Sequence, residues 1–350
     1  MAALKVSSVK TLADQPNLNH IPPAYVFRTS STNDQGPEDG EASEEPIPVV
    51  DFSLLTSGTP DQRSRVVQDL GYACQEWGFF MVINHGVDEG LTKRILQGCG
   101  EFFDLTEEEK SEYEGRHVLD PIRCGTSFNA SVEEIFFWRD YLKVMVHPEF
   151  HSPNKPARFS EVLEEYTKAV RGVVRRLLGG ISESLGLESC HLDRILDLES
   201  SLQILTANLY PPCPQPELAM GMPPHSDHGL LTMLIQNGIG GLQIHHKGRW
   251  VKVNAVPGAF LVNTGDHMEI LSNGKYGSVL HRAVVNDKTT RMSISVSNGP
   301  SPETIVSPVQ ELLENGSCPA AYIGMKYKDY LELQQSNKLD GNSCLNRVRI

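Results

Sequence analysis

Two pairs of histidine and aspartate have the spacing that a metal site on a β-strand needs. His225 and Asp227 are separated by one residue, and so are His191 and Asp193. Side chains at positions i and i+2 of a strand project from the same face, so each pair could offer an imidazole and a carboxylate to one ion. Two imidazoles and one carboxylate on one face of an octahedron are typical of non-haem iron(II) sites, which leave positions open for a co-substrate and dioxygen.

The sequence context of the two pairs favours the second one. His191 lies in the segment LESCHLDRILDLESSL, whose leucine and isoleucine spacing is helical. On a helix, residues i and i+2 point about 200° apart and chelate one metal poorly. His225 instead follows two prolines and leads into GLLTMLI, a strand-like apolar run. A metal site is therefore predicted at His225 and Asp227.

A candidate anion-binding pair is found by the same comparison of contexts. An arginine and a serine separated by one residue occur three times, at Arg28/Ser30, Arg158/Ser160 and Arg291/Ser293. Only the last pair lies in an alternating β-type run, RMSISVS, which places Arg291 and Ser293 on one face. A buried guanidinium is costly unless it meets an anion, and its fork matches a carboxylate. The partner could be a dicarboxylate co-substrate or an acidic side chain of the protein.

The order and spacing of these motifs resemble a known family. His281 follows Asp227 by 54 residues, and Arg291 follows His281 by ten. The motifs HSD, LHRAVVN and RMSIS, preceded by NLYPPCP at 208–214, resemble the plant-type 2-oxoglutarate/Fe(II)-dependent dioxygenases of specialised and hormone metabolism. The likeness runs from Ile47 to the segment LDG at 339–341 and includes IPVVDF, WGFFMVINHGV, GTSFN and WRDYLK.

The resemblance implies roles for individual residues. Iron(II) would be bound by His225, Asp227 and His281. The distal carboxylate of 2-oxoglutarate (2OG) would be bound by Arg291 and Ser293 with help from the Tyr210 hydroxyl, and Asn208 would lie beside Tyr210 on the same strand face. The implied reaction consumes 2OG and dioxygen, releases succinate and carbon dioxide, and oxidises a C–H bond of an organic substrate, with ascorbate as the expected reductant.

The substrate pocket of the family suggests further positions in this chain. They are Phe128, Asn129, Tyr141, Ser297, Gly299 and Tyr327. Because the positions after the arginine–serine pair are small and polar, we expect an uncharged pocket with room for a bulky aromatic, alkaloid or terpenoid skeleton. Hydroxylation of a small metabolite is the expected reaction. Two alternatives stay open: an ascorbate-driven oxidase of the same fold that does not use 2OG, and a non-catalytic small-molecule-binding protein on this scaffold.

The elements that must position these residues are indicated by periodicity. We expect a flexible segment over 1–46, a mixed α/β part over 47–195, a jelly-roll domain over 196–310, and a C-terminal helix and tail over 311–350. Short β-type runs punctuated by Gly, Pro and Asn predict strands at roughly 202–209, 229–236, 241–246, 250–254, 259–263, 280–286, 291–297 and 303–306. The predicted fold is mixed α+β, with a double-stranded β-helix (jelly-roll) core and a largely helical N-terminal part.

The composition of the chain argues against some classes of binding partner. The formal charge of -13 and the pI of about 5.4 argue against nucleic acid or an anionic membrane as a partner. We find no cationic leader followed by an apolar core and no apolar run long enough to span a membrane. The seven cysteines are scattered and form no Cys-x-x-Cys pair, which favours reduced thiols. We therefore expect a monomer in the cytoplasm that acts on a small molecule.

Overall fold

The computed structural model of the protein describes residues 8–27, 46–128, 133–316, 319–336 and 344–350. Residues 1–7 and 28–45, which belong to the flexible segment predicted over 1–46, lie outside the described residues. Within the described ranges, the strands form an eight-stranded sheet, a four-stranded sheet and a two-stranded ribbon. The first two sheets build the core around the predicted site.

The eight-stranded sheet carries most of the predicted site residues. Its strands, in spatial order, are β1 (Val49–Asp51), β2 (Phe79–Ile83), β10 (Phe260–Thr264), β7 (Leu231–Gln236), β12 (Arg291–Asn298), β5 (Gln203–Tyr210), β4 (Asp140–His147) and β3 (Ile122–Thr126). Only β1 and β2 pair in parallel; the other neighbours are antiparallel. Strands from both halves of the chain therefore complete one sheet.

The two faces of this sheet differ because its strands alternate. On β12, Met292, Ile294 and Val296 belong to the main apolar core, which the helices cover. The intervening residues of β12 face the opposite side and line a cavity, as alternate positions of a strand must. They are Arg291, Ser293, Ser295 and Ser297. The polar half of the run RMSISVS thus becomes the wall of the candidate site.

The smaller sheet closes this cavity from the other side. Its strands, in spatial order, are β6 (Met222–His225), β11 (His281–Ala283), β8 (Leu242–His246) and β9 (Arg249–Lys252). An apolar cluster joins the two sheets, with Phe79 and Leu261 from the larger and Leu242 and Ile244 from the smaller. Two facing antiparallel sheets with this connectivity form a distorted jelly roll, which confirms the predicted fold class.

Ten α-helices lie among the described residues. They are α1 (Val9–Ala13), α2 (Phe52–Ser57), α3 (Pro60–Tyr72), α4 (Glu89–Phe103), α5 (Glu107–Ser111), α6 (Phe159–Ser184), α7 (His191–Leu196), α8 (Asp266–Leu271), α9 (Gln310–Gly316) and α10 (Tyr327–Ser336). Those that bury side chains in the core on the apolar face of the large sheet are α2, α3, α4, α6, α7, α8 and α10. The long helix α6 buries Tyr166, Val170 and Leu177, which recur at helical spacing along one face. None of the described helices is long and apolar enough to cross a membrane.

Several predicted element bounds are wrong. Pro223 and Pro224 were expected to precede a strand that carries both His225 and Asp227, but they lie within β6, which ends at His225, and Asp227 follows this strand. β6 is an edge strand, where the missing N–H groups of two prolines are tolerated. Strands β3 and β4 were not predicted. In the region predicted as C-terminal helix and tail over 311–350, helix α10 begins only at Tyr327, because Met325–Lys326 pairs as β14 with β13 (Ile305–Val306).

The N-terminal segment also differs from the flexible segment predicted over 1–46. Within residues 8–27, helix α1 packs against β4, and Val9 is fully buried. The carboxylate of Asp140 accepts hydrogen bonds from the backbone N–H groups of Val9 (2.9 Å) and Lys10 (2.8 Å). A side chain 130 residues away in sequence thus caps the first turn of α1 and ties it to the sheet.

Candidate active site

The cavity between the two sheets brings together both groups of predicted site residues. One part is lined by His225, Asp227 and His281, and another by Arg291 and Ser293. The centres of water molecules could occupy about 120 Å³ of it. The candidate metal ligands and the candidate anion site therefore share one enclosed space.

Three donor side chains converge at the first part of the cavity. The Oδ1 atom of Asp227 lies 3.7 Å from Nε2 of His225 and 3.6 Å from Nε2 of His281. Donor atoms of the three residues all lie within 4.8 Å of one another. His225 ends β6, and its register partner across the ladder is His281 on β11. Strand pairing therefore brings together two residues that are far apart in the sequence.

Hydrogen bonds orient the two imidazoles toward a common point. Nδ1 of His225 donates to the carbonyl oxygen of Pro223 (2.8 Å), and Nδ1 of His281 donates to that of Val279 (3.1 Å). A carbonyl can only accept, so each Nδ1 carries the proton and each Nε2 keeps its lone pair. This is the tautomer that a metal-binding histidine needs.

The protonation states also suit a cation. Burial, followed by the neighbouring His281, lowers the pKa of His225 to about 4. For Asp227, burial raises the pKa, but the two imidazoles outweigh it, and the resulting pKa is about 2. The Asn263 side chain donates to Oδ2 of Asp227 (3.0 Å) and fixes the carboxylate. A neutral imidazole and an ionised carboxylate are the forms that bind a metal.

The side chain of Arg291 is buried without an anionic partner. It is 1% exposed, and its Nε and Nη1 atoms have no hydrogen-bond partner. Its Nη2 atom donates to Oε1 of Gln236 (3.3 Å), and its guanidinium lies 4.9 Å from the ring centroid of Tyr210. Among the described residues no acidic side chain forms a salt bridge with it, so the alternative of an internal ion pair is not what the structure has.

The neighbours of Arg291 are set by strand register. Arg291 pairs with Tyr210 and Ser293 pairs with Asn208 on the adjacent strand β5. All four residues line the cavity. The Oδ1 atom of Asn208 is buried without a partner, like the two N–H groups of Arg291. Buried donors and acceptors that lack partners in one cavity are expected where a polar ligand supplies the missing hydrogen bonds.

Comparison with known proteins identifies the family. A profile described as the 2OG-Fe(II) oxygenase superfamily matches residues 201–300. A second, described as the N-terminal region of non-haem dioxygenases in morphine synthesis, matches residues 47–165. The chain is 48% identical to 2-oxoglutarate-dependent dioxygenase 19 of Oryza sativa subsp. japonica, over 89% of this chain and 93% of that protein. The chain belongs to the 2OG-Fe(II) oxygenase superfamily.

Other relatives agree with this assignment. Thebaine 6-O-demethylase of Papaver somniferum is 34% identical, over 99% of this chain and 97% of its own length. The crystal structure of JOX2 in complex with 2OG, Fe and JA has a TM-score of 0.87 and 29% identity, over 99% of this chain and 98% of that one. The predicted family, enzyme class and cofactors, iron(II) and 2OG, are thereby confirmed. The oxygenase is an oxidoreductase.

The proposed pocket residues of this oxygenase do not all reach the cavity. Phe128 and Ser297 line it. Tyr141 and Tyr327 are buried and are not among the lining residues, and Gly299 packs against the ring of Tyr327. Asn129 lies outside the described residues.

Three cationic residues of the cavity wall were missed from the sequence. Arg139 and Lys143 flank the expected pocket residue Tyr141 and line the cavity where Tyr141 does not, and Arg282 also lines it, over the ring of Trp250. The neighbouring Trp138 is fully buried elsewhere, with its Nε1 donating to the carbonyl of Pro211 (3.1 Å). The expectation of an uncharged pocket is therefore wrong. The sequence offered only the four-residue spacing of Arg139 and Lys143, which places both on one face once the segment is known to be a strand.

The remaining histidines near the site have other partners. His191 lies on α7, as its helical context predicted, and its Nε2 is 3.7 Å from a carboxylate oxygen of Glu311. Nδ1 of His228 lies 2.8 Å from the Tyr327 hydroxyl. Among the described residues, only His225, Asp227 and His281 form a group of three potential ligands.

Proposed function

We propose that this oxygenase hydroxylates a small organic substrate, with iron(II) bound by His225, Asp227 and His281 and the distal carboxylate of 2OG bound by Arg291 and Ser293. The overall reaction takes one C–H bond, 2OG and dioxygen, and it gives the alcohol, succinate and carbon dioxide. Desaturation or demethylation would use the same residues and the same co-substrate.

The observation that carries the proposal is that the guanidinium of Arg291 has no acidic partner among the described residues and lies in the same cavity as the three metal donors. A buried charge without a counter-ion is strongly unfavourable, so a site that retains one is expected to bind an anion. The guanidinium fork matches a carboxylate at two points, and the hydroxyl of Ser293 can add a third bond. 2OG has a second carboxylate and a keto group that remain free to bind a metal.

The donor set fits iron(II). Two neutral imidazoles and one carboxylate form the facial set that leaves open positions for other ligands. When bound, the metal supplies the oxidative chemistry of the superfamily with dioxygen and 2OG. The protein side chains hold it: Asn263 keeps the carboxylate of Asp227 oriented, and the carbonyl of Pro223 keeps the imidazole of His225 oriented.

The substrate skeleton, reductant, oligomeric state and compartment form a finer part of the proposal. We propose an aromatic, alkaloid or terpenoid skeleton, ascorbate as reductant, and a monomer in the cytoplasm. A relative of this chain is named for the demethylation of thebaine, which supports a small molecule of that size. Six cysteines are free thiols among the described residues, which supports a reducing compartment.

Succinate release is the experiment that tests the proposed function. The purified protein is loaded with iron(II), supplied with 2OG, ascorbate and air, and assayed for succinate without an added organic substrate. We expect succinate from the wild-type protein and none from His225→Ala. The matched control is His191→Ala, which removes the other histidine of a His-x-Asp pair and should retain turnover per folded protein.

The same assay separates the two alternatives. An ascorbate-driven oxidase would consume dioxygen without forming succinate when 2OG is present. A non-catalytic binding protein would consume neither dioxygen nor 2OG. Either result with correctly folded, iron-loaded protein contradicts the proposed function.

A further inference from the structure

We propose that the substrate of this oxygenase is an organic acid, whose carboxylate is bound between Arg139 and Lys143 on the cavity wall. This inference rests on the proposed function, because it concerns the substrate of the same site. It follows from the positions of the two cations, from the partners they lack and from the charge of the complete site.

Both cations project into the cavity from one edge of the large sheet. Lys143 lies on β4, and Arg139 is the residue just before the first residue of this strand. Residues four apart along an extended chain point to the same face. Lys143 pairs across the ladder with Thr206, which in turn pairs with Ser295 of β12. This polar row is separate from the neighbouring rows, in which Asn208 pairs with Ser293 and Tyr210 with Arg291. The Lys143 row therefore lies beside the proposed 2OG site, whereas Arg139, which precedes the Asp140–Leu209 pair, lies near the row of Tyr210.

The guanidinium of Arg139 has no counter-ion among the described residues. It is 5% exposed, its Nε atom has no hydrogen-bond partner, and Nη1 contacts the sulfur of Met222 at 2.8 Å. The adjacent carboxylate of Asp140 points to the opposite face, where it accepts from the α1 backbone and from the Thr126 hydroxyl (2.6 Å). Asp140 is therefore engaged elsewhere and does not pair with Arg139.

The ammonium group of Lys143 also has no acidic partner among the described residues. Its partner is the amide oxygen of Gln335, on α10. Burial and the charges of Arg123 and Arg139 lower the pKa of Lys143 to about 7, against a weaker opposing effect of Asp227. A bound carboxylate would reverse this shift, since an opposite charge at close range stabilises the ammonium form.

The charges of the complete site leave these two cations uncompensated. Iron(II) carries two positive charges and 2OG two negative ones, and the carboxylate of Asp227 balances the guanidinium of Arg291. These four groups sum to zero, so none of them can neutralise Arg139 and Lys143. A further cation of the wall, Arg282, donates to the side chain of Gln243 and lies over the ring of Trp250. Asp227 is the one acidic side chain among the residues that line the cavity. In a chain with a net charge of -13, two such cations in an enclosed cavity point to an anionic ligand.

A purely structural role for Arg139 explains fewer of these observations than binding of a substrate carboxylate does. Its guanidinium lies 5.0 Å from the ring centroid of Tyr141, which stabilises it through a cation–π contact. That contact explains where the side chain lies, but it leaves Nε unpartnered, and it does not concern Lys143. The experiment therefore uses substitutions at Lys143 as the primary test and those at Arg139 as the second.

The test compares acids with their uncharged amides. Wild-type protein loaded with iron(II) and saturated with 2OG is titrated under nitrogen, by calorimetry, with trans-cinnamate and 1-naphthoate and with the primary amide of each. Each pair keeps its skeleton and size and differs in charge. We expect the acids to bind about 10- to 100-fold more tightly than their amides, which is roughly the contribution of one hydrogen bond to a charged group, because the amide oxygen can still accept the others.

Variants assign the preference to the two residues. Lys143→Met should reduce the acid-over-amide preference to about onefold to threefold, and Lys143→Arg should restore it. Arg139→Met should reduce it as well, provided that thermal unfolding shows an intact fold. The control is Lys168→Met, which removes an exposed lysine that pairs with Glu164 on α6 and should leave the preference unchanged.

The outcomes separate this inference from the proposed function. If no acid binds more tightly than its amide, including the case in which neither binds, the inference is overturned. It is also overturned if the preference survives in Lys143→Met. The same wild-type preparation is assayed in air for succinate release from 2OG: if succinate forms while the acids show no preference, the inference alone fails, whereas absence of succinate contradicts the proposed function.

Discussion

Substitution of Arg291 by methionine tests the 2OG site most directly. Methionine fills much of the same buried volume but cannot donate hydrogen bonds. Arg291 has two N–H groups without a partner in the protein, at Nε and Nη1, and these are the donors that the substitution removes. Each hydrogen bond to a charged group contributes about 1.5–3 kcal/mol, so the loss of two amounts to at least about 3 kcal/mol. The dissociation constant for 2OG should therefore rise about 150-fold.

The expected result is a thermal-shift pattern rather than an unstable protein. At a 2OG concentration 100 times the wild-type dissociation constant, the ligand stabilises the iron-loaded wild type by about 2.7 kcal/mol. With a 150-fold weaker constant, the same concentration stabilises Arg291→Met by only about 0.3 kcal/mol. Without 2OG the variant should be at least as stable as the wild type, because the substitution removes a buried charge that has no counter-ion.

Arg63→Met is the matched control for this experiment. The guanidinium of Arg63 pairs with both carboxylate oxygens of Glu183, at 2.5 Å and 2.6 Å, far from the cavity. This variant should lose some stability and keep the full stabilisation by 2OG. If Arg291→Met instead keeps that stabilisation, or unfolds in the absence of 2OG while Arg63→Met does not, Arg291 is a structural residue and the reasoning is wrong.

Further outcomes are expected at other positions. Asp227→Ala should abolish iron-dependent succinate release, whereas Asp193→Ala, in the His-x-Asp pair on α7, should retain it per folded protein. The affinity for trans-cinnamate should fall about tenfold per pH unit above pH 7. Burial lowers the pKa of Lys143 to about 7, and only the ammonium form of its side chain attracts the anion. In Lys143→Arg the affinity should be constant up to pH 9. Asp140→Ala should lower the free energy of unfolding by about 1–2 kcal/mol, measured by urea titration, because two buried N–H groups of α1 lose their acceptor.

The candidate metal site could be predicted because its signals are local. The alternation of RMSISVS fixed which side of β12 would be polar, and the helical spacing around His191 removed the competing pair. Both inferences need only the 2.0 and 3.6 residue periods. That His281 would meet His225 came from the resemblance, since nothing in the local pattern specifies which strands pair.

The cationic part of the cavity could not be predicted in this way. Arg139 lies just before β4. The first residue of this strand, Asp140, is buried because its carboxylate caps helix α1 near the N-terminus of the chain. A charged residue at an apparently apolar position obscures the alternation that would have marked β4. The docked helix α1 escaped notice for a related reason: five residues are too short for a periodic signal, and its stability comes from a contact 130 residues away.

The position of β12 in the sheet has a consequence for how the protein is made. This strand lies between β7 and β5, at the centre of the large sheet, although it is one of the last strands to leave the ribosome. Until residue 298 has been synthesised, β5 and β7 each expose an unpaired edge, the kind of surface that recruits other chains. The same strand carries Arg291 and Ser293. Closure of the sheet and formation of the proposed 2OG site are therefore one event, and we expect 2OG to stabilise only chains that have completed it.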